Sequence, residues 1–262
     1  MTESALAHEQ RLLAGVYGGG ALAVAFYGVQ ATGLMLMDQA MGLVSRDPVQ
    51  AWRDALQVGH RSLLSVLCWA LGVAMALTLL GALMWAVRLP VVGVPLLTLV
   101  LPLGVVGCGL TMVSTGLVVG PLSGPSVWAG GDTRQTLAWI RRVLTRQLPE
   151  AALLSFAVLL LTALVSAAVS AVVLSGARLM GLLLPWVAQL DLPPQQLMAG
   201  LFGYGLRSLG ASGAPVTASP QGIASLAGGG MVFVLALVLP ALVYIRGSCA
   251  AYLALDELAE PR

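Results

Sequence analysis

Two histidines and three cysteines are the residues whose chemistry is best suited to a cofactor or a metal. A bis-imidazole haem needs two rings that face one another across a helical bundle, but a long apolar run separates His8 from His60. Cys68, Cys108 and Cys249 lie in or beside apolar runs, too far apart in sequence for a disulfide framework or a thiolate metal site. We therefore expect no metal and no cofactor, and interpret the cysteines as small packing residues.

One serine stands in a motif with catalytic potential. The sequence GASGA, Gly210 to Ala214, is similar to the serine motif of rhomboid intramembrane proteases, and the resemblance implies Ser212 as nucleophile with a histidine on a later span as base. A serine hydroxyl is a weak nucleophile without such a base, and no histidine follows Ser212. The chain also has no Lys, which a Walker phosphate loop requires. We predict that the protein is not an enzyme and that GASGA is a flexible loop.

The elements that position these residues are unusually apolar. Hydrophobic residues make up 58% of the chain and charged residues 9%, whereas a soluble domain carries about 25% charged residues. A spanning helix needs about 20 apolar residues. Five runs of that length or longer contain no Asp, Glu, Lys, Arg or His: 12–37, 62–87, 89–131, 151–177 and 208–245.

We therefore predict an all-α integral membrane protein, a helical bundle of about five transmembrane helices in a single membrane domain, 1–262. The predicted spans are 12–37, 62–87, 95–117, 151–174 and 223–245. Two amphipathic helices, 47–61 and 132–148, are predicted to lie at the cytoplasmic membrane surface. The segment 178–222, rich in Pro, Gly and Ser, is interpreted as an external loop or an interfacial segment.

The two amphipathic segments resemble one another, which suggests an internal repeat. Asp47 and Gln50 of the first correspond to Asp132 and Gln135 of the second. An Asp followed three residues later by Gln predicts a capping box at each helix N-terminus. Pro48 suits the first helical position.

Arginine is the only cation besides histidine, and its distribution predicts the orientation. The segments between spans one and two and between spans three and four are richest in it, so we expect them, and the C-terminus, in the cytoplasm. The second contains the cluster Arg134, Arg141, Arg142 and Arg146. These four side chains either contact lipid headgroups or an acidic partner, or they only set the orientation. They do not indicate nucleic-acid binding.

Small and hydroxylated residues in the spans predict how the helices pack. Gly15 with Gly19, and Gly116 with Gly120, have the GxxxG spacing that lets another helix approach closely. The hydroxyls of the spans are expected to bond to the preceding turn or to a neighbouring helix; they are Thr78, Thr111, Ser114, Thr115, Thr162, Ser166 and Ser170. A polar substrate path lined by them is the alternative.

In the predicted order of elements, an amphipathic helix leads into a membrane hairpin, and a short loop with a second basic helix follows, in the sequence GPLSGPSVWAGGDTRQTLAWIRRVL. This order resembles the multi-pass membrane domain of some bacterial glycerophosphodiester phosphodiesterases and its stand-alone relatives. The resemblance covers roughly residues 45–250 and implies a membrane-embedded auxiliary role in a bacterial cytoplasmic membrane. We expect a non-catalytic subunit or scaffold, whose partners are membrane lipids and other integral membrane proteins or further copies of the chain. A small oligomeric transporter or channel is the alternative, because many transporters contain repeats.

Overall fold

The computed structural model describes residues 2–87, 93–183, 186, 201 and 220–259. These residues form helices α1 (Thr2–Ala40), α2 (Pro48–Ala86), α3 (Gly93–Ser114), α4 (Gly120–Trp128), α5 (Thr133–Arg146), α6 (Leu148–Leu183) and α7 (Pro220–Ala259). A π-helical turn, Thr115–Val119, joins α3 to α4. The all-helical prediction is confirmed for the described residues, which contain no strand.

Within the part of the chain that the structure describes, five helical stretches are long and apolar enough to cross a membrane, as the uncharged runs predict. They are Gly19–Ala40, Pro48–Ala86, Leu96–Trp128, Leu148–Leu183 and Gly222–Leu258. The segments 47–61 and 62–87 are continuous in α2, whereas the second amphipathic segment forms the separate helix α5. Most of the predicted external or interfacial segment, 178–222, lies outside the described residues; its first residues continue α6 as far as Leu183.

The chain forms two compact units. The first comprises residues 1–157 together with 245–262. Its α1 contacts α2 and α4, and its α2 also contacts α3 and α5. The largest fully buried side chains include Met37, Leu122, Ile140 and Leu255. Because these come from the C-terminal ends of α1 and α7 and from α4 and α5, the core of this unit lies at one end of its long helices.

A tight turn separates α4 from α5. Gly130 has a φ of 97°, a conformation that residues with a Cβ rarely adopt. The N–H of Gly131 donates to the carbonyl of Ser126 at 3.1 Å, and a Cβ at Gly131 would lie 2.6 Å from that same oxygen. Both glycines are therefore required for the turn that places the N-terminus of α5.

The capping prediction holds at one helix and fails at the other. The N–H of Asp132 donates to Oε1 of Gln135 at 3.0 Å, which completes a capping box at the start of α5. Asp47 makes no side-chain cap bond at the start of α2. Pro48 nevertheless presets a helical φ in the first turn of α2, so the helix begins there without that bond.

The second unit comprises residues 158–244. Its described elements are the C-terminal part of α6 and the N-terminal part of α7. Among its described residues outside these helices, Leu201 is buried.

Candidate functional site

A buried polar network joins three helices of the first unit. The indole Nε1 of Trp128 donates to Oε1 of Gln30 at 2.6 Å, and Nε2 of Gln30 donates to Oγ of Ser62 at 3.4 Å. Gln30, Ser62 and Trp128 are each at most 6% exposed. A buried polar group without a partner is costly, so the three side chains stabilise one mutual arrangement of α1, α2 and α4.

Two glycines make room for the Trp128 indole. A Cβ on Gly33 would overlap the six-membered ring of Trp128, and a Cβ on Gly124 would lie 2.9 Å from its Cζ2 atom. Gly59 likewise makes room for the Tyr27 ring, because a Cβ on Gly59 would lie 2.9 Å from Cε1 of Tyr27. Close helix approach in this unit therefore depends on glycines that face aromatic rings.

An ion-pair cluster lies where α1 ends and α2 begins. Nε of Arg46 lies 3.0 Å from Oδ2 of Asp38, and its NH1 donates to Oδ2 of Asp54 at 3.1 Å. The Asp38 side chain is 4% exposed, whereas Arg46 and Asp54 are about one-third exposed. Arg46 thus compensates a buried carboxylate at the end of the first candidate span, directly beyond the predicted span 12–37.

A polar cleft of about 430 Å³ opens beside α5. One wall is the α5 face that carries Gln135, Trp139 and Arg142, residues spaced four and three apart so that their side chains share a face. The opposite wall includes Ser126 of α4 and Tyr252 of α7. The cleft therefore joins three elements of the first unit.

An aromatic pair lies at one side of this cleft, and a carboxylate that does not itself line the cleft is bonded to it. The rings of Trp139 and Tyr252 have centroids 4.7 Å apart at an interplanar angle of 43°. Nε1 of Trp139 donates to Oδ1 of Asp256 at 3.0 Å. Both aromatic residues are 8% exposed, so they form a fixed surface of the cleft and Asp256 adds a negative charge next to it.

The four predicted arginines, Arg134, Arg141, Arg142 and Arg146, are all exposed on α5. Among the described residues none of them forms an ion pair, and only Arg142 lines the cleft. Whether they contact lipid headgroups or a partner stays a prediction.

Three of the four predicted packing glycines, Gly19, Gly116 and Gly120, lie away from the packed core. A Cβ on Gly19 or Gly116 would meet no atom within 4 Å, and one on Gly120 would meet only the carbonyl oxygen of Thr115, at 3.3 Å. The surroundings of Gly15 lie outside what the structure describes. The faces of Gly19 and Gly116 are therefore open to other helices, and their packing role stays a prediction.

Most of the span hydroxyls bond as predicted. Those of Thr78, Thr111, Ser114 and Thr162 donate to carbonyls three or four residues earlier at 2.7–3.1 Å. The hydroxyl of Thr115 accepts the Nε1–H of Trp69 on the neighbouring helix at 3.0 Å. Ser166 and Ser170 instead line a cavity of about 90 Å³ in the second unit.

An apolar groove of about 380 Å³ runs between α2 and the π-helical turn with α4. Ala70 and Ala74 of α2 lie on one side, and Gly120 and Ser123 lie on the other. The Trp69–Thr115 hydrogen bond links its two walls. Small side chains on both walls keep the groove open along the apolar part of the unit.

Comparison with protein-family models, curated proteins and solved structures gives no match. The candidate residues are therefore those that geometry brings together: the Gln30–Trp128 network, the Arg46 ion pairs and the cleft. Sequence reasoning identified Arg142 and Gln135 but not Gln30, Gly33 or Asp256. An amide within an apolar run was the one available signal for Gln30, since a polar group there requires a partner.

Proposed function

We propose that the protein is a non-catalytic subunit or scaffold of a membrane protein complex in a bacterial cytoplasmic membrane. Its apolar helices pack against other integral membrane proteins, and the polar end of its first unit lies at the cytoplasmic surface. The role is to hold a partner or a set of lipids in place.

The observation that supports this proposal is how little of the apolar surface the chain covers itself. In the most apolar stretch of α6 no residue is buried, and in those of α2 and of Leu96–Trp128 only 6% of residues are buried. Membrane helices associate through close van der Waals contact at small residues. The open faces of Gly19 and Gly116 offer such contact to a helix from another chain.

The distribution of polar contacts supports the proposed orientation. The Arg46 ion pairs, the capped start of α5 and the four exposed arginines belong to the same end of the first unit. By the positive-inside rule, the excess of Arg in these connections supports a cytoplasmic location for them. In this arrangement α5 lies in the interface with its arginines toward anionic headgroups.

The hydroxyl geometry favours packing over transport. A polar path needs hydroxyls that are directed toward a channel, but those of Thr78, Thr111 and Thr162 are occupied by carbonyls of their own helices. The cavity lined by Ser166 and Ser170, at about 90 Å³, is smaller than the roughly 300–1,000 Å³ of a typical ligand site.

The experiment is purification of the tagged protein from its native membrane in a mild detergent after in-membrane crosslinking, followed by quantitative mass spectrometry. A partner at fixed stoichiometry supports the subunit function, and deletion of the gene should then lower the partner's abundance. A homo-oligomer free of other proteins that changes solute flux in liposomes would overturn it in favour of a transporter.

A further inference from the structure

We propose that the cleft beside α5 binds the headgroup of a zwitterionic phospholipid, with the phosphate at Gln135 and Arg142 and the ammonium at Trp139 and Tyr252, next to the charge of Asp256. This inference rests on the placement of α5 at the membrane surface given under the proposed function. It adds a defined ligand site to a helix that would otherwise contact lipids only through its general positive charge.

The first support is the hydrogen-bonding capacity on the α5 wall. Oε1 of Gln135 accepts the N–H of Asp132 at 3.0 Å, so the orientation of the amide is fixed and its NH₂ group is turned away from that bond. Arg142 lies seven residues further on the same face and forms no ion pair with any described residue. An amide and a guanidinium two turns apart together present N–H donors to phosphate oxygens.

The loop that borders the cleft does not supply the phosphate site. The N–H groups of Gly130 and Gly131 donate to carbonyls of Val127 and Ser126 at 3.0 and 3.1 Å. The N-terminus of α5 is already capped by Asp132 and Gln135. The anion is therefore held by side chains, which makes the site testable by substitution without a change in the backbone.

The second support is the opposite charge at the aromatic side of the cleft. Trp139 and Tyr252 line the cleft, whereas Asp256 does not. Oδ1 of Asp256 accepts the Trp139 indole N–H at 3.0 Å, so its negative charge lies next to the aromatic side of the cleft. Aromatic rings next to a carboxylate favour an ammonium group through cation–π and Coulomb attraction. The cleft thus has the cation Arg142 on one side and the anion Asp256 next to the other. This arrangement fits a headgroup with both a phosphate and an ammonium group better than a headgroup with a phosphate alone.

The dimensions agree with one headgroup. The cleft measures about 430 Å³, within the roughly 300–1,000 Å³ of small-molecule sites. Its two aromatic residues are 8% exposed, and Ser126, on the α4 side, is 3% exposed. The part of the wall formed by Trp139, Tyr252 and Ser126 is therefore held by the core of the unit and does not need to be ordered by the ligand.

The test is native mass spectrometry of the full-length protein in detergent, titrated with phosphatidylethanolamine, phosphatidylglycerol or diacylglycerol. We expect phosphatidylethanolamine to bind most tightly and diacylglycerol most weakly. Arg142→Gln should weaken both phospholipids about tenfold, because a charge-assisted hydrogen bond is lost. Asp256→Asn keeps an acceptor for Trp139 and should abolish the preference for phosphatidylethanolamine over phosphatidylglycerol.

The matched control is Arg53→Gln, which removes an exposed arginine that does not line the cleft. Equal lipid affinities for the wild type, Arg142→Gln and Asp256→Asn would overturn the proposal. Binding of soluble glycerophosphoethanolamine as tight as that of the lipid would overturn the lipid as the ligand. Because no partner protein is present, failure here is distinguishable from failure of the subunit proposal, which the copurification tests.

Discussion

Trp128 donates its indole N–H to Oε1 of Gln30 at 2.6 Å, across 98 positions of sequence. The bond ties the short helix α4 to the middle of a candidate span, and both residues are almost fully buried. With Ser62 as a third member, it fixes the packing of α1, α2 and α4. Of the two bonds in this network, the one between Trp128 and Gln30 joins the residues that lie farther apart in sequence.

Replacement of Gln30 by Leu should destabilise the protein by about 1–3 kcal/mol, because the Trp128 N–H and the Ser62 hydroxyl lose a partner while buried. The measurement is unfolding by SDS in mixed micelles, monitored by tryptophan fluorescence. In a double-mutant cycle, Gln30→Leu with Trp128→Phe should cost less than the sum of the two single changes. Additive costs would show that the pair does not interact.

Gly33→Ala should lower stability by about 1–3 kcal/mol, because its methyl group overlaps the Trp128 ring and forces the indole to move. Gly20→Ala is the matched control on the same helix, since its Cβ would meet no atom within 4 Å. The apparent Tm in mild detergent should fall for Gly33→Ala only. A similar fall for both variants would assign the effect to the helix itself.

Arg46→Gln should destabilise the protein by about 1–3 kcal/mol, since it leaves the buried Asp38 carboxylate without a partner. Asp54→Asn removes only the one-third exposed partner of Arg46 and should cost about 1 kcal/mol or less. Addition of Asp38→Asn to Arg46→Gln should restore part of the loss in the same SDS titration. No recovery in this double variant would contradict the charge argument.

Substitution of Gly116 and Gly120 by Leu should reduce association with a partner or a second copy severalfold, because bulky side chains keep a neighbouring helix away. A Cβ on Gly116 would meet no atom within 4 Å, so Gly116→Leu by itself should change the stability of the isolated protein little. Gly107→Leu is the control, since nine residues at about 100° each turn it to the opposite face. Crosslinking yield in the native membrane measures the effect; unchanged association would remove these glycines from the interface.

Single cysteines introduced at Arg134 and at Glu257, in a background without Cys68, Cys108 and Cys249, should react with an impermeant maleimide only after the membrane is opened. Both sites are exposed in the structure, and in the proposed orientation, which follows the distribution of Arg, both lie in the cytoplasm. Labelling in intact spheroplasts would contradict the proposed orientation and would place these residues outside.

Much of the fold was predictable because a helix that crosses lipid needs a long apolar sequence without charged residues. That rule located all five candidate spans, and Asp132 with Gln135 located the start of α5. It does not predict which faces meet. The contacts of Gln30, Gly33 and Trp128 arise from pairing across helices far apart in sequence, where one amide and one small residue look ordinary. Asp256 likewise gains its role only because α7 returns to Trp139.

The π-helical turn Thr115–Val119 determines which way the side chains of the following helix, α4, are turned about the helix axis. The N–H of Gly120 bonds to the carbonyl of Thr115, five residues earlier, so the turn holds one residue more than an α-helical turn does. One residue corresponds to about 100° of rotation about the helix axis. Deletion of a single residue here would preserve the length and apolarity of the span, yet it would rotate the Trp128 indole away from Gln30. The register of a membrane span can thus encode a tertiary contact that its composition does not.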